Sequence, residues 1–384
     1  MTSALIHGAL TPSPRSSRGE GGVRGLTHSA RHARTCSGHP RLLPHKQDVD
    51  GRDKPGHDGV EFGSAIWKNV LLIAAGLSAL ALAAPADAQS NKVRLGYQYS
   101  LWGAPAVVAL ELDLFRKHGV EVDAKRFGAG KDARDALVSD SLDVGTVGGT
   151  PFVVGAALGD LNAIATVAYT GRTGCIEVKK DSGVKSLADL KGKRIGTRTG
   201  STIDSVLRNK VLPAFNLKDS DFQLVNVDFR DQAAVLAGGS IDAFAGVEPF
   251  CALAESLGYS ELLVNYEKYD PMPNMLASTH KFVTSSPNSA RAIVAGIVEA
   301  AEIFQQQPDK VKEILSKVYA AAGYQMDSAT LGKLIARMDV NPRYIPGLDQ
   351  YFQAEADELV KSGRLRGGKH VDWSKALVAD FLPK

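Results

Sequence analysis

From Lys92 onward the chain switches repeatedly between a two-residue and a 3.6-residue apolar period. Val93 to Tyr97 alternates apolar and polar positions and predicts a strand. Ala104 to His118 carries apolar residues at helical spacing, and Val120 to Phe127 returns to a strand pattern. The same reading gives a helix over Lys131 to Ser139, a strand over Leu142 to Thr146, a helix over Pro151 to Leu158 and a strand over Ala163 to Ala168. After the polar, glycine-bearing stretch Tyr169 to Gly174 come strands at Cys175 to Lys179 and Arg194 to Thr197. A Gly/Ser/Thr turn at Thr199 to Thr202 follows, and then Ile203, Val206, Leu207 and Val211 at helical spacing. Strands alternating with helices predict a layered α/β fold of mainly parallel sheets flanked by helices.

One unit occurs twice. Ala136-Leu137 is followed after four residues by Leu142-Asp143 and then by Pro151-Phe152; Val235-Leu236 is followed after four by Ile241-Asp242 and then by Pro249-Phe250. The repeat predicts two lobes. The first comprises residues 92–174 and 276–384, the second residues 175–275, with crossovers near Gly171 and Met275. An amphipathic helix begins at Ser286 and runs to Gln307, and the helix-rich remainder is expected to return to the first lobe.

The first 88 residues read differently. Residues 1–64 are rich in Arg, His, Gly, Pro and Ser without apolar periodicity, and are expected to be a non-structural leader. The segment resembles a translated intergenic repeat upstream of a misplaced start, which would make Val60 the initiating position. His28, His32, Cys36 and His39 have zinc-like spacing, but nothing around them could build a supporting core, so no metal site is expected. Residues 65–88 read as a signal peptide: Lys68, an apolar run from Val70 to Ala84, and Ala86-Asp87-Ala88 before Gln89 predict export to the periplasm with cleavage after Ala88. The run falls short of the about 20 residues that span a bilayer. Without those 88 residues Lys+Arg and Asp+Glu balance at 35 each, which removes the case for nucleic-acid or membrane-surface binding. Two cysteines remain, Cys175 and Cys251, and we expect them to be separately buried rather than paired.

Ligands of open parallel sheets sit beyond the carboxyl ends of the strands, which nominates a set of loops. They are Tyr97 to Gly103, Gly128 to Lys131, Gly148 to Pro151, Thr170 to Gly174, Thr197 to Thr202, Asp228 to Gln232 and Gly246 to Phe250. The turn at Thr199, Gly200, Ser201 and Thr202 points backbone N–H groups and hydroxyls at one spot before a helix, a docking point for a small oxyanion. Arg172, Arg198 and Arg230 each lie in such a loop and suit a carboxylate, sulfonate or phosphonate. Tyr97, Tyr99, Trp102, Phe229 and Phe250 offer flat apolar surface for a carbon skeleton. Gly130, Gly149 and Thr150 supply the glycine loops of the first lobe, and Glu248 can pair with a ligand amine or with an arginine. No P-loop and no G-x-G-x-x-G is present, and after processing only His118, His280 and His370 remain, with no H-E-x-x-H and no G-x-S-x-G. Neither catalysis nor a cofactor is indicated.

The opening VRLGYQYSLWG, GAGKDARDAL with LDVGTVGGTP, SLADLKGKRIGTRTGST and IDAFAGVEPF, in this order behind a signal peptide, resemble the nitrate/sulfonate/taurine group of periplasmic substrate-binding proteins of ABC importers, related to the NMT1/THI5-like domain. The resemblance implies a two-lobed periplasmic-binding-protein-like fold of type II with ligand trapped between the lobes. It places ligand contacts at Gln98 and Trp102, at Thr199 to Thr202 and at Glu248. It also implies a monomer that binds a small molecule and delivers it to membrane permease and ATPase subunits. The expected ligand is a small organic anion, sulfonate- or taurine-like or a related carboxylate. A neutral aromatic or pyrimidine-like ligand, or a secreted enzyme using the same cleft, are the alternatives. The pyrimidine-synthase branch of the wider group is not matched, since its cysteine-rich motif and active-site histidine have no counterpart here.

Overall fold

The computed structural model describes residues 92–159 and 161–382. The leader, the signal segment with its expected cleavage after Ala88, and the His28, His32, Cys36 and His39 spacing lie outside the described residues.

Ten strands form two five-stranded sheets. The first contains β1 (Lys92–Gln98), β2 (Glu121–Phe127), β3 (Val144–Gly148), β4 (Leu161–Tyr169) and β10 (Pro273–Thr279), in the order β2-β1-β3-β10-β4. The second contains β5 (Gly174–Lys179), β6 (Arg194–Thr197), β7 (Gln223–Asn226), β8 (Ala243–Val247) and β9 (Ser260–Asn265), in the order β7-β6-β8-β5-β9. The two orders are the same arrangement. In each sheet three strands pair in parallel, and one strand, β10 or β5, lies antiparallel to both of its neighbours. The exception has a topological cause. β5 and β10 are the strands by which the chain enters a sheet after crossing from the other one, so each starts at the edge where the parallel strands end and must run back against them.

The internal repeat is visible in side chains. Asp143 accepts the backbone N–H of Arg94 at 2.9 Å and its guanidinium at 3.0 and 2.6 Å; Asp242 accepts the backbone N–H of Arg194 at 2.9 Å and its guanidinium at 3.1 Å twice. Arg94-Leu95-Gly96 and Arg194-Ile195-Gly196 therefore occupy equivalent places, with Leu95 in register with Val144 and Ile195 with Ala243.

Helices cover both faces of each sheet. Helix Pro287–Gln306 buries Ala290, Ile293, Val294, Ile297, Ala300, Ala301 and Phe304, a stripe of i, i+3, i+4, i+7 spacing, against a core shared with Leu95, Val108, Ile164 and Leu276. The opposite face of that sheet packs Phe152, Phe352 and Trp373 around Val147 and Met275. In the second sheet Ile195, Ile203, Val206, Leu207 and Val211 form one core, and Cys175, Phe244, Leu236 and Cys251 the other.

Two expectations are corrected. The predicted helix Ala104 to His118 is two helices, Ala104–Glu111 and Leu114–Lys117, broken at Asp113, which adopts φ 54°, a left-handed conformation that Asp tolerates better than most residues. Cys175 and Cys251 are joined in a disulfide, with Cα atoms 6.6 Å apart; strand β5 and helix Phe250–Ser256 pack face to face, which the sequence separation of 76 conceals. Among the described residues no helix is long and apolar enough to cross a membrane.

Candidate functional site

The carboxyl ends of the parallel strands in the two sheets face each other. Between them is a narrow, nearly filled cleft with only about 10 Å³ of free space. Its walls follow from the topology. Gln98 ends β1, Gly148 ends β3 and Val247 ends β8, while Gly128, Ala129 and Gly130 follow β2 and open the helix Gly130–Val138. Ser100 and Trp102 come from the turn after β1, Pro151 from the start of helix Gly149–Gly159, and Ser201, Thr202 and Ile203 from the start of helix Thr202–Val206. Phe229 closes the second-sheet side. None of the described residues that line the cavity is charged.

Three helices thus begin at this cavity, each with first-turn amides that have no intrahelical acceptor. Some are already used. Thr150 donates its N–H to the Thr202 hydroxyl oxygen at 3.3 Å, a direct bond from one sheet's helix to the other's. In the turn singled out by sequence, Thr199 donates its amide to Asn226 Oδ1, Gly200 to Asp204 Oδ2 and Ser201 to the Arg198 carbonyl. That is a correction. The amides of Thr199, Gly200 and Ser201 are spent on acceptors of the protein, Thr199 is exposed, and what the turn offers the cavity is the Ser201 and Thr202 side chains. Both hydroxyls accept backbone N–H bonds, Ser201 from Asp204 and Thr202 from Thr150, so their protons point elsewhere. Gln98 is buried with its carboxamide oxygen unpartnered. Trp102 presents a ring edge held by its Nε1–H donating to Thr173 Oγ1 at 2.8 Å.

The arginines behave differently from expectation. Arg198 donates to Asp132 at 2.7 Å across the gap between the sheets, with Asp228 3.8 Å away on its other side, so its charge is matched by two carboxylates. Arg230 is half-exposed, pairs with Asp228 at 3.4 Å and lies 6.0 Å from the Tyr99 ring centroid. Arg172 is not in this cavity. It is exposed and lines a separate open groove of about 600 Å³ beside the crossovers, with Tyr169, Phe304, Ile335, Met338 and Asp339. Glu248 is also committed: it accepts from Arg337 at 2.8 Å and from the Ala252 N–H at 3.0 Å, and burial pushes its carboxyl up to about 7 against the pull of Arg337.

Sequence reasoning therefore brings Gln98, Trp102, Gly130, Ser201 and Thr202 together at the cavity, with Gly149 and Thr150 directly behind it. Tyr99 is in an aromatic cluster at the mouth: it stacks on Phe250 at 6.4 Å, meets Tyr324 edge-on at 5.5 Å, and carries Arg126 at 4.4 Å above its ring. Tyr324 and Arg126 are absent from the sequence-based set, and Lys131, whose side chain extends over Gly200, entered it only as the end of the Gly128 to Lys131 loop. Gly148 was signalled only as part of a glycine loop. A Cβ there would lie 2.5 Å from Thr202 Oγ1 and 3.0 Å from Trp102 Cζ3, so the two halves close this tightly only around a glycine.

Among the described residues, Cys175, Glu177 and Cys251 are the set whose donor atoms lie close enough together to hold a metal, and both sulfurs are spent in the disulfide. Glu177 is fully buried without a hydrogen-bond partner, and burial pushes its carboxyl up to about 8.

The sequence profile of the NMT1-like family matches residues 86–319. A Brucella abortus protein that carries the provisional name of a binding protein is 28% identical over 315 residues, covering 78% of this chain and 94% of the relative. A Bacillus subtilis protein provisionally named as aliphatic sulfonates-binding is 28% identical over 247 residues, 60% of this chain and 74% of its own length. Among solved structures, the alkanesulfonate-binding protein SsuA from Xanthomonas axonopodis pv. citri bound to MOPS superposes with a TM-score of 0.66 at 24% identity, over 76% of this chain and 99% of SsuA. The likeness fixes the type II two-lobed fold.

Proposed function

Because the chain belongs to the NMT1-like family, we propose that it is the extracytoplasmic solute-binding component of an ABC importer, capturing a small organic anion between its lobes. The observation that carries this reading is the cavity itself: helix starts from both sheets converge on it, and no carboxylate lines it. An oxyanion is held there by neutral donors, the hydroxyls of Ser201 and Thr202 and the free first-turn amides, with Lys131 at the rim. The unpartnered Gln98 oxygen takes a donor from the ligand. A sulfonate bearing an amine or hydroxyl satisfies both ends. In this reading lobe 1 is residues 92–174 and 276–384 and lobe 2 residues 175–275. The protein acts as a monomer in the periplasm after cleavage behind Ala88, and hands its ligand to a membrane permease driven by ATPase subunits. It binds without turnover.

A neutral ligand is the second reading, favoured by the uncharged lining. A thermal-shift screen over taurine, ethanesulfonate, short carboxylates, nitrate and pyrimidines separates the two. A ligand at 100 times its Kd stabilises by about 2.7 kcal/mol. Stabilisation by sulfonates or carboxylates with no product formed is the expected result. Stabilisation by pyrimidines alone refutes the anion reading, and measurable product refutes the binding role.

A further inference from the structure

Behind the cavity a polar network runs through the buried seam between the lobes. Its centre is Glu355, on helix Leu348–Lys361, which packs on the first sheet through Phe352 and Leu359. Glu355 is 4% exposed. One of its oxygens accepts the Thr150 hydroxyl at 2.5 Å, from the helix that starts at the cavity in the first lobe, and the Ser205 hydroxyl at 2.7 Å, from the helix that starts there in the second. Ser205 in turn accepts from Asn209 Nδ2 at 3.2 Å, and Asn209 Oδ1 accepts from Arg364 at 2.5 Å, which brings the network back to the chain just after the Glu355 helix. Asn209 lies in a π-helical turn, Leu207–Val211. The second lobe is thus gripped at two side chains one helical turn apart, Ser205 and Asn209, by an acid and a base from the first.

We infer that Glu355 and Arg364 form a latch that holds the lobes closed and sets how long a ligand stays, without touching the ligand. A buried carboxylate needs donors, and Glu355 has one from each lobe. Opening carries Ser205 and Asn209 away and leaves Glu355 with Thr150 alone, whereas the proposed ligand contacts at Ser201 and Thr202 lie one turn earlier in the same helix, at its start. The latch is a positioning device: it acts on the closed fraction and therefore on apparent affinity. It rests on the binding reading above only for its ligand arm.

The test uses the full chain and two conservative variants, Ser205→Ala and Glu355→Gln, with ethanesulfonate as the probe. Scattering gives the radius with and without ethanesulfonate, and stopped flow gives its association and dissociation rates. The expected result is dissociation faster by about tenfold, the loss of one charge-assisted hydrogen bond, with association changed less than twofold and an expanded radius in both variants. Arg364→Ala gives the same signature from the other end of the network. A merely structural role would lower thermal stability while leaving the ratio of the two rate constants and the radius as in wild type. That outcome overturns the latch, as does a dissociation rate unchanged in Ser205→Ala. If ethanesulfonate does not bind the wild type, the ligand reading fails on its own. The ligand-free radii then decide the latch, expanded variants supporting it and identical radii overturning it.

Discussion

Replacing Gly148 by Ala tests lobe closure directly, because the added methyl meets a side chain of the other lobe. The added methyl would sit 2.5 Å from Thr202 Oγ1 and 3.0 Å from Trp102 Cζ3, against about 3.5 to 4.0 Å for comfortable contact, so the seam has to yield by about 1 Å. Neither neighbour yields cheaply. Trp102 is fixed by its bond to Thr173, and turning Thr202 away gives up the Thr150 bond that crosses the seam. Overpacking of this kind costs about 1 to 3 kcal/mol, and the forfeited hydrogen bond about 1 kcal/mol more. Since Thr202, the nearer neighbour, is brought up by closure while Trp102 belongs to the same lobe as Gly148, the larger part of the cost falls on the closed form. The expected result is a Kd raised by about thirtyfold to nearly a thousandfold for whichever ligand the screen identifies, with a smaller change in ligand-free thermal stability. Calorimetry gives the affinity, and scattering should show less ligand-induced compaction. The double variant Gly148→Ala/Thr202→Ala sharpens the test. The Thr202 Cβ is 3.4 Å from the built methyl, so removing the hydroxyl should recover part of the loss, a coupling that independent sites would not show. If Gly148→Ala binds and compacts like wild type, the closed geometry described here is not the ligand-bound one.

Arg172→Ala should leave affinity unchanged, because the residue lies in a separate groove; Arg198→Ala should weaken anionic and neutral ligands alike, since it removes the Asp132 bridge across the seam rather than a ligand contact, and calorimetry on both ligand classes checks this. Replacing Cys175 and Cys251 together by Ala should cost about 2 to 4 kcal/mol in denaturant unfolding, as the disulfide closes a long loop in the second lobe, and should leave the Kd within about twofold. Glu177, pushed up to about 8 by burial, binds its proton more tightly folded than unfolded, so its contribution to stability is full in acid and is lost as pH rises through about 8. The melting temperature should therefore fall between about pH 5 and about pH 9, by an amount equivalent to at most about 4 kcal/mol, and Glu177→Gln should flatten that slope.

The fold was legible because it is written in local period. β6 begins and ends where its alternation does, at Arg194 and Thr197, and Pro287–Gln306 follows its apolar stripe. The repeat was legible because the same small set of residues is needed twice: an Asp that receives an arginine from the first strand of each unit, and a Pro-Phe pair at the start of the helix after the third strand. Half of the site was legible for the same reason, since Gln98, Gly130, Ser201 and Thr202 sit at strand ends and helix starts that topology alone brings together. What failed was pairing over distance. Nothing near Arg198 in the chain announces Asp132, nothing near Glu248 announces Arg337, and the Cys175 partner is 76 residues away. Glu355 and Tyr324 belong to the helix-rich last third, where the sequence shows amphipathic stripes without saying which polar position turns inward.

The distribution of charge makes one consequence hard to avoid. Arginine motifs in the loops suggest a site that recognises an anion by opposite charge, yet each of those motifs near the cavity is answered by a carboxylate of the protein: Arg198 by Asp132 and Asp228, Arg230 by Asp228, and Glu248 conversely by Arg337. Such pairs contribute little net energy where they are partly exposed, but they set the seam's register, since Arg198 meets Asp132 and Glu248 meets Arg337 across a gap that only closure narrows. In the proposed reading the ligand is then left to neutral donors in a closed space, where hydrogen bonds to a charged group are strong and water cannot substitute for them. Selection among anions follows from how many oxygens the hydroxyls and helix amides can reach at once, a matter of shape. On that reading the charges near the cavity govern when it closes, and the uncharged groups inside it govern on what.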